Sequence, residues 1–234
     1  MAYFPLFIEL EGKKCLVVGG GRVAARKAAQ LLAYGAELLV VAKEVCPAMW
    51  QLAGHIRLQL RPARVEDADG MDLVICASDD RRLHEELTAF CRERRIWVNV
   101  ADDSGGSSFL FPGLVRQGDV VLGITTGGKS PAATRYLRRE LEGCLPPFFG
   151  GLVERLGVLR DQVKELIPDP RERERRFTEL LMAGIGRGGI LPDEVIEETL
   201  RASGPGDLHG SGSGCAAIQK SPAADSISKR QEMR

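Results

Sequence analysis

The sequence predicts an α/β protein with a doubly wound parallel sheet, followed by a small α+β region and a helical C-terminal region. Short runs rich in Val, Ile and Leu alternate with helical patterns in the first half of the chain, which indicates βαβ units. These apolar runs lack polar alternation, as expected of strands buried on both faces. The first run ends in a glycine turn that opens a helix, an arrangement typical of Rossmann-like sheets.

Composition narrows the possible partners and compartments. The 234 residues include 32 Lys+Arg and 32 Asp+Glu, so the net charge of zero gives no general reason to expect nucleic acid or an anionic membrane as partner. No apolar run approaches the roughly 18 residues of a membrane span, and no basic region precedes the apolar N-terminus. The six cysteines are scattered and the three histidines lack metal-ligand spacing. We therefore expect a cytoplasmic protein without a metal site.

The first βαβ units are read from the start of the chain. Residues 14–19 form an apolar run that ends in glycines and predicts a buried strand. Residues 22–34 are rich in Ala and Leu and predict a helix, with Gly35 placed to end it. Residues 37–42 predict the second strand, and the alternating residues 56–60 predict an edge strand.

The sheet continues beyond these units. Residues 72–77 predict another buried strand, after which Asp79 or Asp80 can cap a helix that runs to about residue 95. Leu83, Leu87 and Phe90 fall on one face of that helix. Residues 96–100 predict the next strand.

The regular alternation of predicted strands and helices ends after Val100. Residues 109–111 and 120–125 predict strands around a turn at 117–119. Pro131, preceded by Ser130, starts a predicted helix. The remaining predictions are three helices near residues 152–166, 171–183 and 192–201, and a disordered tail rich in Gly and Ser from residue 203.

The glycine turn is the first candidate site. Gly19, Gly21 and Ala24 fit the pattern G-x-G-x-x-G/A, and the pattern follows a strand and opens a helix, the context that gives it meaning. Gly21 would let the backbone approach a pyrophosphate, and the helix N-terminus would supply N–H donors. The alternative is a glycine turn that binds no ligand.

The tip of the second strand bears on the choice of dinucleotide. An acidic residue there usually binds the ribose of NAD, whereas a cation favours the 2′-phosphate of NADP. Lys43 and Glu44 both follow the strand, so the residues alone leave NAD and NADP open. Either side chain could instead be a solvated loop charge.

Asp102 is the candidate catalytic residue. It follows the strand at 96–100, and ligands of parallel sheets bind outside the carboxyl ends of the strands. The alternative for Asp102 is a turn or cap aspartate before the Ser-Gly-Gly loop.

A second loop concentrates hydroxyls, backbone N–H groups and a cation at a helix start, which predicts an anion site. Its members are Thr126, Gly127, Gly128, Lys129 and Ser130, with Arg135 on the helix that follows. The alternative is an ordinary capped helix with a basic face. The segment from Gly123 formally matches a P-loop, but Pro131 follows at once and no βαβ unit surrounds it.

Several motifs occur together and in order over about residues 1–145. They are Pro5-Leu6-Phe7, the run from Cys15 to Lys27, Ala77-Ser78-Asp79-Asp80, Asn99-Val100-Ala101-Asp102, Ser108-Phe109 with Pro112, and Thr126-Gly127-Gly128-x-Ser130-Pro131. In these motifs the chain resembles the precorrin-2 dehydrogenases, which stand alone or form the N-terminal module of siroheme synthase.

The resemblance implies NAD-dependent oxidation of precorrin-2, a tetrapyrrole, to sirohydrochlorin in siroheme biosynthesis, and some members of the family also insert ferrous iron. It implies NAD contacts at Arg22, Val23, Lys43 and Glu44, with Asp102 as the catalytic aspartate. Relatives carry Pro and Lys where this chain has Ser104 and Gly105. A substrate contact made by that lysine would be absent here.

The resemblance also implies a homodimer that pairs through the region after the dinucleotide domain. The predicted domains are therefore a Rossmann-like NAD-binding domain at 1–112, a dimerisation and substrate region at 113–145, a helical region at 146–202 and the tail at 203–234. Two alternatives from other classes are a non-catalytic NAD(H)-sensing module and a scaffold for a partner enzyme of haem synthesis.

Overall fold

A computed structural model describes residues 3–101, 103 and 105–201. Contact clustering divides the chain into two compact units. Among the described residues, one unit lies within 3–113 and 123–135, and the other lies within 114–122 and 136–201. The predicted tail from residue 203 and the candidate Asp102 lie outside the described residues.

The first unit is built on a five-stranded parallel sheet with the order β3-β2-β1-β4-β5. The strands are β1 (Lys14–Val18), β2 (Glu37–Ala42), β3 (Arg57–Leu60), β4 (Leu73–Cys76) and β5 (Trp97–Val100). The helices are α1 (Arg22–Leu32), the short α2 (Pro47–Trp50) and α3 (Arg81–Arg94). The predicted edge position of β3 is confirmed, and so is the parallel, doubly wound arrangement.

Successive residues of β1 point to opposite faces of the sheet, and both faces are buried. Cys15 and Val17 join a core that includes the buried alanines of α1. Leu16 and Val18 join a second core that includes Leu87 of α3. This two-sided burial explains why the strands of the sequence lack polar alternation.

The predicted cap of α3 is resolved in favour of Asp80, whose side chain accepts a hydrogen bond from the Leu83 N–H at 3.0 Å. Leu87 is fully buried, and Leu83 and Phe90 pack against the same core. The helix ends at Arg95, which adopts a left-handed conformation with φ of 58°.

After the parallel sheet, the described chain continues with a hairpin and helices. Strands β6 (Gly113–Gln117) and β7 (Val120–Ile124) form a two-stranded sheet. They are followed by α4 (Pro131–Cys144), α5 (Phe149–Leu166), α6 (Pro170–Gly186) and α7 (Asp193–Arg201). The three predicted C-terminal helices are thus confirmed, and they share a core of Leu152, Leu159, Val163, Leu180, Leu191 and Ile196.

The side chain of Gln117 ties the hairpin to the start of α5. Its Nε2 donates to the Pro146 carbonyl at 2.9 Å, and its Oε1 accepts from the Gly150 N–H at 2.8 Å. A Cβ on Gly150 would collide with the Gln117 carbonyl, so the close approach requires glycine.

The predicted strand at 109–111 is wrong, because the strand of this region begins at Gly113. Phe109 and Phe111 instead pack against the core on the α1 face of the sheet, with their ring centroids 6.0 Å apart. Pro112 lacks the N–H that a ladder would need. Aromatic residues therefore serve here as core anchors of a loop.

Candidate functional site

The glycine turn follows β1, the central strand of the sheet, which has β2 on one side and β4 on the other. Gly19 adopts φ of 122°, and a Cβ there would collide with the Ala77 carbonyl beyond β4. A Cβ on Gly20 would collide with the Glu44 carbonyl beyond β2. Both glycines are therefore required for the turn to fit between its neighbours.

Gly21 has the opposite environment. Its φ of −75° is open to any residue, and a Cβ there would meet no atom within 4 Å. The space beside Gly21 is therefore open to a ligand. Ala24, by contrast, is fully buried under the sheet, as the motif predicts.

The N-terminus of α1 is prepared for an anion. Gly21 provides no side-chain cap, and the first turn holds no acidic residue. Unpaired N–H groups and the positive end of the helix dipole therefore face the open space beside Gly21. Arg22 and Val23 of the first turn are both exposed. These features fit the pyrophosphate of a dinucleotide.

Lys43 and Glu44 directly follow β2 and are both exposed. Within the described ranges, neither side chain forms an ion pair or hydrogen bond. Both are thus available at the end of the sheet where a ribose would lie.

The loop after β5 is organised by Asp103. Its Oδ1 accepts hydrogen bonds from the N–H groups of Gly105 at 2.8 Å and Gly106 at 3.1 Å. The Ser107 hydroxyl donates to the Asp103 carbonyl at 2.7 Å. Asp103 therefore shapes the loop in which the candidate Asp102 stands.

A buried polar contact beneath this loop was missed by sequence reasoning. Lys27 is 8% exposed and Asn99 is 5% exposed. The Lys27 ammonium donates to Asn99 Oδ1 at 2.9 Å and lies 4.1 Å from the centroid of the Phe111 ring. Asn99 Nδ2 donates in turn to the Phe109 carbonyl at 3.0 Å. The contact joins α1, β5 and the segment that returns from the loop.

The sequence held one signal for this contact. Lys27 lies three residues after Ala24 and four before Leu31, so helical periodicity places it on the buried face of α1. A lysine there needs an acceptor within the protein.

The loop before α4 is closed by hydroxyl hydrogen bonds. Thr126 Oγ1 accepts from the Ser130 N–H at 3.2 Å and lies 3.1 Å from Thr134 Oγ1. The Ser130 hydroxyl accepts from the Ala133 N–H at 3.1 Å, which confirms Ser130 as the cap of α4. Gly127 and Gly128 have φ of 63° and 79°, a left-handed pair that turns the chain.

The side chains of Lys129 and Arg135 are both exposed. The structure thus brings Thr126 to Ser130 into one turn, with Arg135 on the helix that follows. In the described part of the chain, no hydrogen bond joins this turn to the glycine turn after β1.

A cavity of about 620 Å³ lies between α3 and the loop after β5. His84, Thr88, Val100, Ala101, Asp103 and Gly106 are among its lining residues. Sequence reasoning missed it because its lining comes from two segments that are distant along the chain. The Nε2 of His84 lies 2.9 Å from the Ser78 hydroxyl at the end of β4. Burial lowers the pKa of His84, although Asp80 and Asp79 oppose the shift.

The buried thiols are not nucleophiles at neutral pH. Burial raises the pKa of Cys15 to about 11, that of Cys76 to about 12 and that of Cys91 to about 11. Since the thiolate is the reactive form, these cysteines act as small apolar residues of the core.

Two kinds of site are absent from the described residues. No group of three or more His, Cys, Asp or Glu residues in these ranges could hold a metal ion. Among the helices described, none has the length and apolar character needed to cross a membrane.

Comparison with known proteins places these features in context. Residues 6–113 match a family model described as putative NAD(P)-binding. A siroheme synthase from Methylococcus capsulatus is 38% identical over 186 residues, which cover 79% of this chain and 39% of that protein. A siroheme synthase from Photorhabdus laumondii is 40% identical over 218 residues, which cover 90% of this chain and 46% of that protein. The chain spans less than half the length of these relatives.

A solved structure titled SirC, precorrin-2 dehydrogenase, superposes with a TM-score of 0.64 and 24% identity. The match covers 85% of this chain and 97% of that chain. The likeness shows that the two proteins share a fold.

Proposed function

We propose that this chain, which belongs to the family of precorrin-2 dehydrogenases that also forms a module of siroheme synthases, oxidises precorrin-2 to sirohydrochlorin with NAD. The observation that carries the proposal is the open, uncapped N-terminus of α1 beside Gly21. The family model for putative NAD(P)-binding over residues 6–113 supports it.

The dinucleotide would be held by groups already described. The N–H groups of Arg22 and Val23 would bind the pyrophosphate, and Gly19 and Gly21 would let the backbone approach it. Lys43 and Glu44 would flank the adenosine ribose. When bound, the nicotinamide supplies the hydride acceptor.

Asp102 would be the general base. As the substrate carbon loses a hydride, Asp102 would accept the proton that the macrocycle gives up, so that a new C=C bond forms. A carboxylate is ionised at neutral pH, because its ordinary pKa is about 4. The hydrogen bonds of Asp103 and the buried Lys27–Asn99 contact would fix the chain before and after Asp102.

The substrate is a flat apolar macrocycle that carries acetate and propionate groups. Its carboxylates suit the turn from Thr126 to Ser130, where Lys129 and Arg135 supply cations for charge-assisted hydrogen bonds. Ferrous iron would be a further substrate if the same carboxylate, Asp102, removes pyrrole N–H protons during metal entry.

We also propose a cytoplasmic homodimer. A two-stranded sheet is marginal in water, and β6 and β7 pair only with each other among the described strands. Their unpaired outer edges would be covered by the same hairpin of a second copy.

The test is anaerobic mixing of the protein with precorrin-2 and NAD. We expect NADH to form together with the absorbance spectrum of sirohydrochlorin. A non-catalytic NAD(H) sensor or a scaffold would give neither signal. Binding of NAD in calorimetry without any turnover would therefore overturn the proposed activity and favour the sensor.

A further inference from the structure

The cavity between α3 and the loop after β5 has a polar wall. Arg81, His84, Thr88 and Arg92 follow one another at intervals of three or four residues, so they lie along one side of α3. Ala101 and Asp103, the residues on either side of the candidate base in the sequence, form part of the opposite wall. The cavity therefore adjoins the loop in which a substrate would react.

Two buried polar side chains line this cavity without a complete set of partners. His84 is 8% exposed and Thr88 is 7% exposed. Within residues 3–101, 103 and 105–201, the Thr88 hydroxyl forms no hydrogen bond, and His84 forms one, between Nε2 and the Ser78 hydroxyl. Because both residues line the cavity, the Thr88 hydroxyl and the remaining nitrogen of His84, Nδ1, are open to a ligand there.

The charges along the cavity favour an acidic ligand at one end. Arg81 is exposed and, in the described ranges, forms no ion pair, so its guanidinium is available. At the other end, Arg92 donates to the Gly105 carbonyl at 2.8 Å. Among the described lining residues, the acids are Asp103, whose Oδ1 already accepts two loop N–H groups, and the exposed Glu85.

We propose that this cavity is a subsite for one carboxylate arm of the macrocyclic substrate, bound by Arg81, Thr88 and His84. The proposal rests on the proposed function. Arg81 forms a charge-assisted hydrogen bond with the carboxylate, and the Thr88 hydroxyl donates a second one. His84 is neutral at neutral pH, because burial lowers its pKa, and its Nδ1–H donates when Nε2 accepts from Ser78.

This subsite would orient the macrocycle. With the reacting ring at Asp102, an acetate or propionate that extends toward Ala101 and Asp103 would reach α3. A substrate held at this point and at the turn before α4 would be fixed against rotation in its own plane.

The first test compares Arg81→Gln and Thr88→Val with the control Arg82→Gln. The control substitution removes the same charge from the next residue of α3. Arg82 pairs with Glu86 and is not among the residues that line the cavity. We expect the KM for precorrin-2 to rise about tenfold in Arg81→Gln and several-fold in Thr88→Val. The KM for NAD should not change, and Arg82→Gln should match the wild type.

A second measurement uses uroporphyrin, a stable macrocycle with acetate and propionate groups, as a non-reacting probe. Fluorescence titration should show a Kd about tenfold higher for Arg81→Gln than for the wild type and for Arg82→Gln. The octamethyl ester should bind all three proteins equally. Equal affinity of the three proteins for the acid would overturn the subsite, and so would equal losses in both arginine variants.

The measurements distinguish a failure of the proposed function from a failure of the carboxylate subsite. If the wild type does not oxidise precorrin-2 but the two arginine variants still differ in affinity for uroporphyrin, the proposed function is wrong and the carboxylate subsite stands. If the wild type turns over and neither KM nor Kd depends on Arg81, the subsite is wrong and the function stands.

Discussion

Asp102 and Asp103 are adjacent carboxylates, and the structure shows what one of them, Asp103, does. The Oδ1 of Asp103 accepts the N–H groups of Gly105 and Gly106, so this side chain acts on the conformation of the loop. Sequence position alone could not separate the two, because either residue follows β5 closely enough to serve a ligand. The role of Asp102 is the prediction that the proposed chemistry depends on most.

We expect Asp102→Asn to lower dehydrogenation by about 10²-fold or more, the usual scale of general-base loss, because an amide cannot accept the proton. Steady-state kinetics would measure this, with iron insertion assayed separately. NAD binding should persist, since the glycine turn is untouched. If only iron insertion falls, hydride transfer needs no base at this position. If neither falls, Asp102 is a turn residue.

Substitutions of Gly19 and Gly21 should have opposite effects on the stability of the fold. In Gly21→Asp, the new carboxylate occupies open space beside the helix N-terminus, so NAD affinity should collapse while the fold survives. In Gly19→Ala, the methyl group meets the Ala77 carbonyl at φ of 122°, so the protein should be destabilised. Calorimetry with NAD and circular dichroism separate the two effects. Unchanged NAD binding in a folded Gly21→Asp would show that the cofactor site is misplaced.

His84 should make stability depend on pH. Burial lowers its pKa in the folded protein, so the unfolded chain binds the proton at a higher pH than the folded chain does. The free energy of unfolding should therefore fall as the pH drops below about 6.5, the ordinary pKa of histidine. Urea unfolding of wild type and His84→Gln between about pH 5 and pH 8 would measure this. Parallel pH profiles would contradict the prediction.

At the scale of elements, the sequence predicted the strands and helices well where one local pattern decides the structure. Examples are the apolar runs of β1, β2 and β4 and the start of α3, where the sequence predicted a cap at Asp79 or Asp80. The strand predicted at 109–111 is wrong because aromatic residues occur both in strands and in loops that they anchor to a core. The feature that argues against a strand there is a single residue, Pro112. The glycine turn was recognisable as a candidate site because its motif is local.

Contacts between distant residues could not be read from such patterns. Lys27 and Asn99 are 72 residues apart in the sequence, and only the parallel order of β1, β4 and β5 brings them together. The cavity beside α3 has the same origin, since a helix and a loop line it jointly. Periodicity shows which face of an element is buried, but it does not show what the buried face meets.

The Lys27–Asn99 contact should stabilise the first unit measurably. Asn99→Leu removes one acceptor of a buried ammonium and should lower the free energy of unfolding by about 2–3 kcal/mol. The double variant Lys27→Met/Asn99→Leu should regain part of that loss, because it also removes the buried positive charge that Asn99 helped to satisfy. Denaturant unfolding would measure both.

The control for this pair is Lys13→Met. Lys13 pairs with Asp72 at 3.7 Å in an exposed position, so its loss should cost less than about 1 kcal/mol. If Asn99→Leu costs no more than Lys13→Met, the buried contact does not stabilise the fold as proposed.

At the scale of the molecule, each unit has its own apolar interior. The sheet of the first unit is covered on both faces, and α5, α6 and α7 share a separate core. Among the described residues, Leu200 is the highest-numbered one that packs against any of these cores. The remaining prediction concerns residues 204–234 and the homodimer proposed from the hairpin β6–β7.

Deletion of residues 204–234 should leave the activity and the number of copies in the assembly unchanged, because this segment is rich in Gly, Ser and Ala and offers few apolar side chains to a core. Light scattering across micromolar concentrations should give the mass of a homodimer for both the full chain and the shortened chain. The reason is that each copy would cover the unpaired edges of the other's hairpin. A matched variant with Val121→Lys in β7, which is partly buried in the single chain, should shift the mass toward the monomer. A fully active monomer would contradict the proposed assembly, and a loss of activity on deletion alone would assign the tail a role in the site.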